Sequence, residues 1–480
     1  MFNSLRVPWI AGVAVLLGAS LNASPGFGEA RDPDPIGEFL KQPPAKSINK
    51  QDKLVVPGPS SIPRPMKKPE VTPTAAPATQ AVPAPGDLTS DAVTIVVTGD
   101  TGFSRNHSPV HPDGVLKYGR RQPWQDSMSG IASEIDGDLN FTNIETIVTN
   151  HNKLSRDLKG QKGPFSFRSH PNGIRHLVDR GFNLMSLANN HSMDYKVAGL
   201  KETLRHMKPM KQAGLKAYAG IGMNREEASR PQLLSVKGAE VAFSAIGIVT
   251  NNLGRHRAGK NKPGQIAYRF DDDYRLSVDR LAKTKSDYRI LSIHYGIEGR
   301  VRTDKKQITQ WRGLAAEQKK IDLVIGHHAH VPRAVDRVGN SVIFYGLGNF
   351  LHHGTANMGK KGICKDFGVV GRVHLRKAKD GKLITRAVEV IPVTKMHIRP
   401  ERLPAKASAD RIHVLNYLAR KLPSGARGIR FQVQKNGNGL YCFEGASKDP
   451  GRIGQLCKGY RGAGSIPSFL AGKIANSCAR

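Results

Sequence analysis

The feature that most constrains this chain is a recurring pattern of short, β-branched apolar runs, each bounded by turn residues. Such continuous runs are typical of strands buried on both faces of a sheet. The predicted strands comprise residues 93–97, 139–142, 183–187, 241–246, 289–293, 322–325 and 342–345. Stretches with helical patterns lie between them, for example at residues 173–180 and 197–213. The alternation predicts an α/β layered fold.

Polar residues follow five of these strands at the point where the apolar run ends. In open α/β sheets, ligands bind in the crevice at the carboxyl ends of the strands. We therefore expect the five clusters to converge on one site. The clusters are Gly99-Asp100, Asn143-Ile144-Glu145, Asn189-Asn190-His191 with Asp194, His294 with Gly296 and Glu298, and Gly326-His327-His328-Ala329-His330.

The residue types in these clusters suit a divalent metal ion. Asp, Glu, Asn and neutral His supply the ligands that Zn, Mn or Fe accept, and no Cys lies among them. Taken singly, a Gly-Asp pair is usually a turn or a helix cap, and a lone histidine is usually a hydrogen-bonded core residue. A histidine-rich turn after a buried strand has few structural uses, so His327-His328-x-His330 is the strongest single signal. The combination predicts a metal-centred hydrolytic site.

The first 90 residues predict export. Arg6 precedes a short apolar run at residues 9–21, and the small residues Gly28 and Ala30 follow, which is the order of a secretory signal peptide over residues 1–30. An uncleaved N-terminal membrane anchor is the alternative, although the run is shorter than the roughly 20 residues of a spanning helix. Residues 31–90 are crowded with proline and lack apolar periodicity, which predicts a disordered linker. We expect a location in the periplasm or cell envelope.

The end of the chain differs in composition from the middle. An amphipathic helix predicted at residues 409–421 leads into a glycine-rich tail, so residues 405–480 are interpreted as a small Cys-containing extension. Four cysteines in an exported chain permit two disulfides in any of three pairings. Cys442 with Cys457 closes the shorter loop and is the preferred pair; four unrelated thiols are the alternative. The cysteines are Cys364, Cys442, Cys457 and Cys478.

The charge of the chain indicates a polyanionic partner. Its 73 Lys and Arg against 39 Asp and Glu give a formal net charge of +34, far more than solubility requires. No basic module interleaved with aromatic residues is present, which argues against nucleic acid. Simple solvation of an exported surface is the alternative reading.

Together these motifs resemble the CapA capsule-synthesis family, whose domain belongs to the calcineurin-like metallophosphatase superfamily. The resemblance extends over roughly residues 92–352 in the family's order. It implies a metallophosphatase-like layered β-sandwich flanked by helices for residues 91–400. The matching segments are Gly99-Asp100, Asn143-x-Glu145, Ala188-Asn189-Asn190-His191-x-x-Asp194, His294-Tyr295-Gly296-x-Glu298, Gly326-His327-His328-x-His330-Val331 and Tyr345-Gly346-x-Gly348-Asn349-Phe350.

The resemblance also implies roles for individual residues. His191 corresponds to the histidine that protonates the leaving group, and Asp194 and Glu298 are further catalytic candidates. The implied metal-binding residues are Asp100, Glu145, Asn190, His294, His328 and His330.

Three departures from the superfamily pattern imply a reduced or single-metal site. Gly102 stands where the first motif, Asp-x-His, has its histidine, so one ligand is missing. Glu145 replaces the usual second Gly-Asp element and is a candidate bridging ligand. His327 stands where the final element has glycine.

For function, the resemblance implies an exported protein that acts in capsule or poly-γ-glutamate biosynthesis, export or anchoring through a metal-dependent hydrolase-type site. Its expected partners are an anionic polymer, such as poly-γ-glutamate or capsule material, and the envelope synthesis machinery. A non-catalytic accessory protein that holds polyanion on its basic surface is the first alternative; the missing histidine at Gly102 favours it, and the retained histidine clusters oppose it. A periplasmic phosphoesterase is the second, disfavoured by the incomplete first two motifs.

Overall fold

The computed structural model describes residues 92–117, 119–249, 251–316, 319–426 and 428–479. The predicted signal peptide at residues 1–30 and the predicted linker at 31–90 lie outside the described residues. Among the helices that are described, none combines the length and the apolar character needed to cross a membrane.

The larger sheet has ten strands and carries the first three of the predicted apolar runs. Its main order is β21-β22-β19-β18-β1-β4-β7-β8, with β17 paired to β1 and β20 to β19. Strands β17, β1, β4, β7 and β8 are parallel, and the other pairs are antiparallel. With numbers along the chain, its strands are β1 (Ala92–Gly102), β4 (Leu139–Ile144), β7 (Leu184–Ser186), β8 (Ala217–Ala219), β17 (Asn349–His352), β18 (Gly368–Lys377), β19 (Leu383–Thr394), β20 (Glu401–Arg402), β21 (Gln432–Val433) and β22 (Gly439–Cys442).

The smaller sheet has six strands in the order β10-β11-β13-β14-β16-β15, of which β11, β13, β14 and β16 are parallel. These strands are β10 (Gln232–Val236), β11 (Ala239–Gly247), β13 (Tyr288–His294), β14 (Leu323–His327), β15 (Val335–Val338) and β16 (Ser341–Phe344). Short strands pair as β2 with β3, β5 with β6 and β9 with β12. They are β2 (Gly114–Lys117), β3 (Arg120–Pro123), β5 (Ile147–Val148), β6 (Arg168–Ser169), β9 (Ile221–Gly222) and β12 (Gly264–Gln265).

The two sheets pack face to face, as the ring of Phe141 on β4 shows. It meets Phe243 of β11 edge-on with ring centroids 6.0 Å apart, and both side chains are fully buried. Helices pack against this sandwich; the longer ones present an apolar face to the core. The helices are α1 (Trp124–Ser127), α2 (Pro171–Asp179), α3 (Lys196–Gln212), α4 (Arg225–Ser229), α5 (Asp271–Lys283), α6 (Lys305–Ala315), α7 (Ala405–Arg420), α8 (Gly451–Cys457) and α9 (Ser468–Ala479). The layered α/β sandwich flanked by helices is therefore confirmed.

The C-terminal segment joins the sandwich through its edge. Strand β22 pairs with β19, and α7 packs against β19 and β15. Disulfides join Cys442 to Cys457 and Cys364 to Cys478. The preferred pair is confirmed, and the second disulfide ties α9 to the segment before β18.

Candidate metal centre

The polar ends of both sheets meet at one end of the sandwich. Asp100 near the end of β1 pairs in register with Asn143 of β4, and His294 ends β13 beside His327 of β14. The Asn143 amide donates to Asp100 Oδ1 at 2.8 Å and lies 3.1 Å from His294 Nδ1. The two sheets thus contribute to one buried polar cluster, at the carboxyl ends of their parallel strands.

Three of the predicted metal-binding residues surround a ring nitrogen of a fourth, His294. His294 Nε2 lies 2.8 Å from Asn190 Oδ1, 3.1 Å from His328 Nδ1 and 3.3 Å from Glu145 Oε1. Glu145, His294 and His328 are buried, and their ligand atoms are close enough to hold one ion between them.

The other two predicted ligands, Asp100 and His330, lie on the β1 side of this group. Asp100 Oδ2 is 3.3 Å from His330 Nδ1, and His330 Nε2 is 3.8 Å from Glu145 Oε1. Asn349, at the start of β17, places its Oδ1 2.8 Å from His330 Nδ1. The structure therefore brings together all six predicted metal-binding residues.

Glu145 shows most directly that the centre suits a cation. Both of its carboxylate oxygens are buried and accept no hydrogen bond, which is costly for an ionised group in a protein interior. Burial acts to raise the pKa of Glu145, but the charges of His330 and His294 outweigh it and hold the pKa well below its usual value. A divalent ion would satisfy these oxygens, and the mixture of oxygen and nitrogen donors fits such an ion.

The two histidines that follow His327 have an unusual backbone. His328 has φ 89° and His330 has φ 56°, in the left-handed region that non-glycine residues rarely adopt. The His328 N–H donates to Asp100 Oδ2 at 3.1 Å, which helps to hold this conformation. Such strain costs of order 1–3 kcal/mol per residue and concentrates at functional sites.

His327, where the superfamily has glycine, lies behind His294. His294 Nδ1 lies 3.0 Å from His327 Nδ1, and His327 Nε2 lies 2.8 Å from Ser292 Oγ. Burial lowers the pKa of His327 to about 3, so the ring is neutral. A residue that does not itself bind the metal but contacts a metal-binding histidine fixes the orientation of that ring.

Two of the predicted catalytic residues, His191 and Asp194, form a hydrogen-bonded pair beside Glu145. His191 Nδ1 is 2.7 Å from Asp194 Oδ2, and His191 Nε2 is 3.9 Å from Glu145 Oε1. Asp194 is fully buried and also forms an ion pair with Lys159, which the sequence analysis missed. Asp194 therefore lies behind His191, away from the metal-binding atoms. Glu298, half-buried on the loop after β13, is near enough to His330 for its charge to help raise the pKa of that ring.

His352 is the other residue that sequence reasoning missed. It ends β17, is fully buried, and places Nε2 3.3 Å from Glu145 Oε2. The available signal was the His352-His353 pair after an apolar strand, close to the recognised Gly348-Asn349-Phe350 motif.

Comparisons with known proteins show which family this chain is similar to. Residues 94–353 match the model of a family described as bacterial capsule synthesis protein PGA_cap. The capsule biosynthesis protein CapA of Bacillus anthracis is 28% identical over 261 residues, 53% of this chain and 57% of that protein. The PGA biosynthesis protein CapA of Bacillus subtilis is 24% identical, covering 56% of this chain and 64% of that protein.

A probable polyglutamine synthesis accessory protein of Mycobacterium tuberculosis is 25% identical, covering 52% of this chain and 65% of its own length. The matches thus span less than two-thirds of each of these relatives.

Proposed function

This chain belongs to the bacterial capsule synthesis protein family PGA_cap, and we propose from this that it acts in the synthesis, export or anchoring of an anionic capsule polymer such as poly-γ-glutamate, through a metal-dependent hydrolytic site. The observation that carries the catalytic part is Glu145, whose two buried oxygens have no hydrogen-bond donor. The family lies in the metallophosphatase-like superfamily, which agrees with a metal at this position.

Glu145, Asn190, His294 and His328 would hold the ion, which, when bound, lowers the pKa of water and polarises a carbonyl or phosphoryl oxygen. His191 Nε2, which faces the Glu145 side of the centre, is the atom through which we propose that a proton passes to the leaving group. Asp194 accepts from His191 Nδ1 and so orients the ring. The ring of Phe167 packs 4.4 Å from that of His191, and both His191 and Asp194 are buried.

A cleft at the other end of the sandwich supports the polymer as partner. It has a volume of about 600 Å³ and is lined by Arg337, Arg420 and Arg430 with Tyr441 and Tyr460, and no acidic residue lines it. Guanidinium groups match carboxylates with two parallel hydrogen bonds. Among the described residues, Arg420 and Arg430 have no ion-pair partner.

The strand register sets the distance between this cleft and the metal centre. Arg337 of β15 pairs with Val342 of β16, and Val342 in turn pairs with Leu323 of β14. Leu323 lies four residues before His327 on β14. At about 3.3 Å per residue the cleft lies about 13 Å from the centre along the strands. A long ligand is needed to occupy both places.

Export is part of the proposal. The paired cysteines support it, because disulfides persist mainly in oxidising compartments. Mass analysis of protein isolated from the cell envelope should show a chain that begins near Arg31. An intact Met1 terminus in the membrane fraction would replace the cleaved signal peptide with an anchor.

The test of the catalytic part is metal content followed by turnover. Purified protein should contain a divalent metal, and Glu145→Gln should lose it. The matched control is Glu389→Gln, another buried carboxylate, 3.0 Å from His374 on β18. Equal metal in the Glu145→Gln variant and the unmodified protein would contradict the site. The metal-loaded protein should then cleave γ-glutamyl polymer in preference to phosphodiesters; bound metal without hydrolysis of either would favour a non-catalytic accessory protein.

A further inference from the structure

The turn at residues 297–300, which follows β13, carries the predicted catalytic residue Glu298. The Gly299 N–H donates to the Ala329 carbonyl at 2.9 Å. This bond joins the peptide unit between Glu298 and Gly299 to the one between Ala329 and His330. Glu298 is therefore placed beside a predicted metal-binding histidine by the backbone itself.

Glu298 differs from the other carboxylates of the centre in its exposure. Asp100, Glu145 and Asp194 are fully buried, whereas Glu298 is half-buried. It is thus the carboxylate at this centre that solvent and a substrate can reach, and its position depends on the turn that carries it.

The guanidinium group of Arg333 holds both ends of this turn. Its Nε donates to the Arg300 carbonyl at 2.9 Å, and its Nη2 donates to the Ile297 carbonyl at 2.8 Å. Its Nη1 donates to Gln307 Oε1 on α6 at 2.9 Å. Arg333 lies three residues after His330, so these bonds tie the turn to the segment that carries the metal-binding histidines.

The burial of Arg333 indicates that these bonds do more than fill space. The residue is 1% exposed, and the acceptors of its guanidinium hydrogen bonds are neutral oxygens. Burial lowers the pKa of Arg333 to about 10, so the group remains charged at neutral pH. Holding a buried charge with neutral oxygens costs stability. Gly296 leaves room for the group, since a Cβ atom there would lie 2.7 Å from Arg333 Nη1.

We infer that Arg333 is a positioning residue, which clamps the turn at residues 297–300 against the metal-binding histidines and so holds Glu298 at the centre. The inference rests on the metal site of the proposed function. Lysine cannot take this role, because one ammonium group does not present the planar fork that binds the two carbonyls. Displacing a reacting group by about 1 Å can slow a reaction about 10²-fold, so the clamp matters even where the fold is retained.

Hydrogen exchange followed by mass spectrometry tests the clamp. In Arg333→Lys, the peptide that contains Gly299 should exchange at least about tenfold faster than in the unmodified protein, because hydrogen bonds from a charged group are lost. The matched control is Arg372→Lys, since Arg372 on β18 is also buried and is paired with Glu134 and Asp136. It should leave that peptide unchanged. Unchanged exchange in Arg333→Lys, or an equal rise in the control, would overturn the inference.

A double-variant cycle shows whether the clamp acts through Glu298. The measurement is the dissociation constant for Zn²⁺ by calorimetric titration, which needs no turnover. Glu298→Gln should weaken binding by about tenfold, the usual effect of losing a group outside the ligands, and Arg333→Lys by a similar factor. The variant with both changes should bind as well as Glu298→Gln alone. Multiplied effects, or an unchanged affinity in Glu298→Gln, would overturn the inference.

The two proposals fail in different ways. No Zn²⁺ bound by the unmodified chain would overturn the metal site of the proposed function, and the exchange experiment would still decide the clamp. Should Arg333→Lys fail to fold, the unmodified protein decides it, since the Gly299 N–H should exchange as slowly as the amides of β13 and β14. Exchange at the rate of an open loop would contradict the clamp.

Discussion

Lys159 Nζ lies 2.6 Å from Asp194 Oδ1, and both side chains are almost excluded from solvent, with exposures of 7% and 0%. The pair fixes one carboxylate oxygen, while the other accepts from His191 Nδ1 and from the Phe167 N–H at 2.6 Å. An ion pair on residues distant in sequence therefore orients the ring that is proposed to move a proton.

Lys159→Met should leave Asp194 buried without its cation. Breaking a buried pair from one side costs about 3 kcal/mol or more, so the free energy of unfolding in urea should fall by about that amount. Lys162→Met, on an exposed residue of the same loop, is the control and should change little. Equal unfolding midpoints for Lys159→Met and the unmodified protein would show that the pair contributes nothing.

His191→Gln and Asp194→Asn should separate proton transfer from metal binding. Loss of a general acid typically slows turnover by a factor of about 10² to 10⁴, and Asp194→Asn should approach that effect because the amide holds the wrong tautomer of His191. Metal content should stay unchanged in both variants. Loss of metal from His191→Gln would instead make His191 a ligand.

Asp322, just before β14, should make the free energy of unfolding fall as the pH rises, which is the opposite of the usual effect of a carboxylate in a folded protein. Burial raises the pKa of its carboxyl to about 6 from the ordinary value of 3.8, so the folded chain holds this proton more tightly than the unfolded chain. The contribution of the group to stability is therefore present at pH 4 and lost as the pH rises through 6.

Asp322→Asn keeps an acceptor for the Arg289 N–H, which donates to Asp322 Oδ2 at 2.7 Å. The variant should be more stable than the unmodified protein at pH 7, by up to about 3 kcal/mol, and nearly equal to it at pH 4. Urea unfolding across this range measures the difference, with the exposed Asp113→Asn as control. A constant difference between the variant and the unmodified protein from pH 4 to 7 would contradict the assignment.

The arginine cleft should bind polycarboxylate through the geometry of its guanidinium groups. Arg420→Ala with Arg430→Ala should weaken the binding of labelled poly-γ-glutamate by about tenfold, since hydrogen bonds between charged groups are the strong ones. Arg420→Lys with Arg430→Lys keeps the charge and should lose part of that factor. The control, Lys208→Ala with Lys216→Ala, removes the same amount of charge from α3 and the segment after it. It should weaken the binding of poly-γ-glutamate by less than about twofold, because single exposed charges contribute little. Equal weakening by the Lys208 and Lys216 control would mean that only net charge matters.

The two disulfides should differ in their effect on stability because they close loops of different length. Cys442 and Cys457 are separated by 15 residues, and Cys364 and Cys478 by 114. By loop closure, replacing both cysteines with serine should cost about 3 kcal/mol for the first pair and nearly 5 kcal/mol for the second. Urea unfolding with and without reductant measures these costs. The control is a chain that lacks all four cysteines, on which reductant should have no effect. No effect of reductant on the unmodified protein would mean that the pairs do not form.

Much of the fold and the site was open to prediction from the sequence because the signals are local. Each of the seven predicted apolar runs forms a strand, and the polar residues that follow them meet at one end of the sandwich. Asp100, Glu145 and His328 were identified because each directly follows or ends a buried strand. The alternation of strands and helices needs no knowledge of distant contacts, since the side chains of each run record their own burial.

The tertiary structure alone decided which residues support that site. Strands β18 and β19 follow the last recognised motif, and only their pairing with β1 and with each other identifies them as part of the larger sheet. Lys159 lies in a loop without periodicity, and its role follows from a contact with Asp194. His352 faces Glu145 only because β17 lies beside β1. Strand pairing and side-chain contacts join residues far apart in the chain, and local sequence carries no record of such partners.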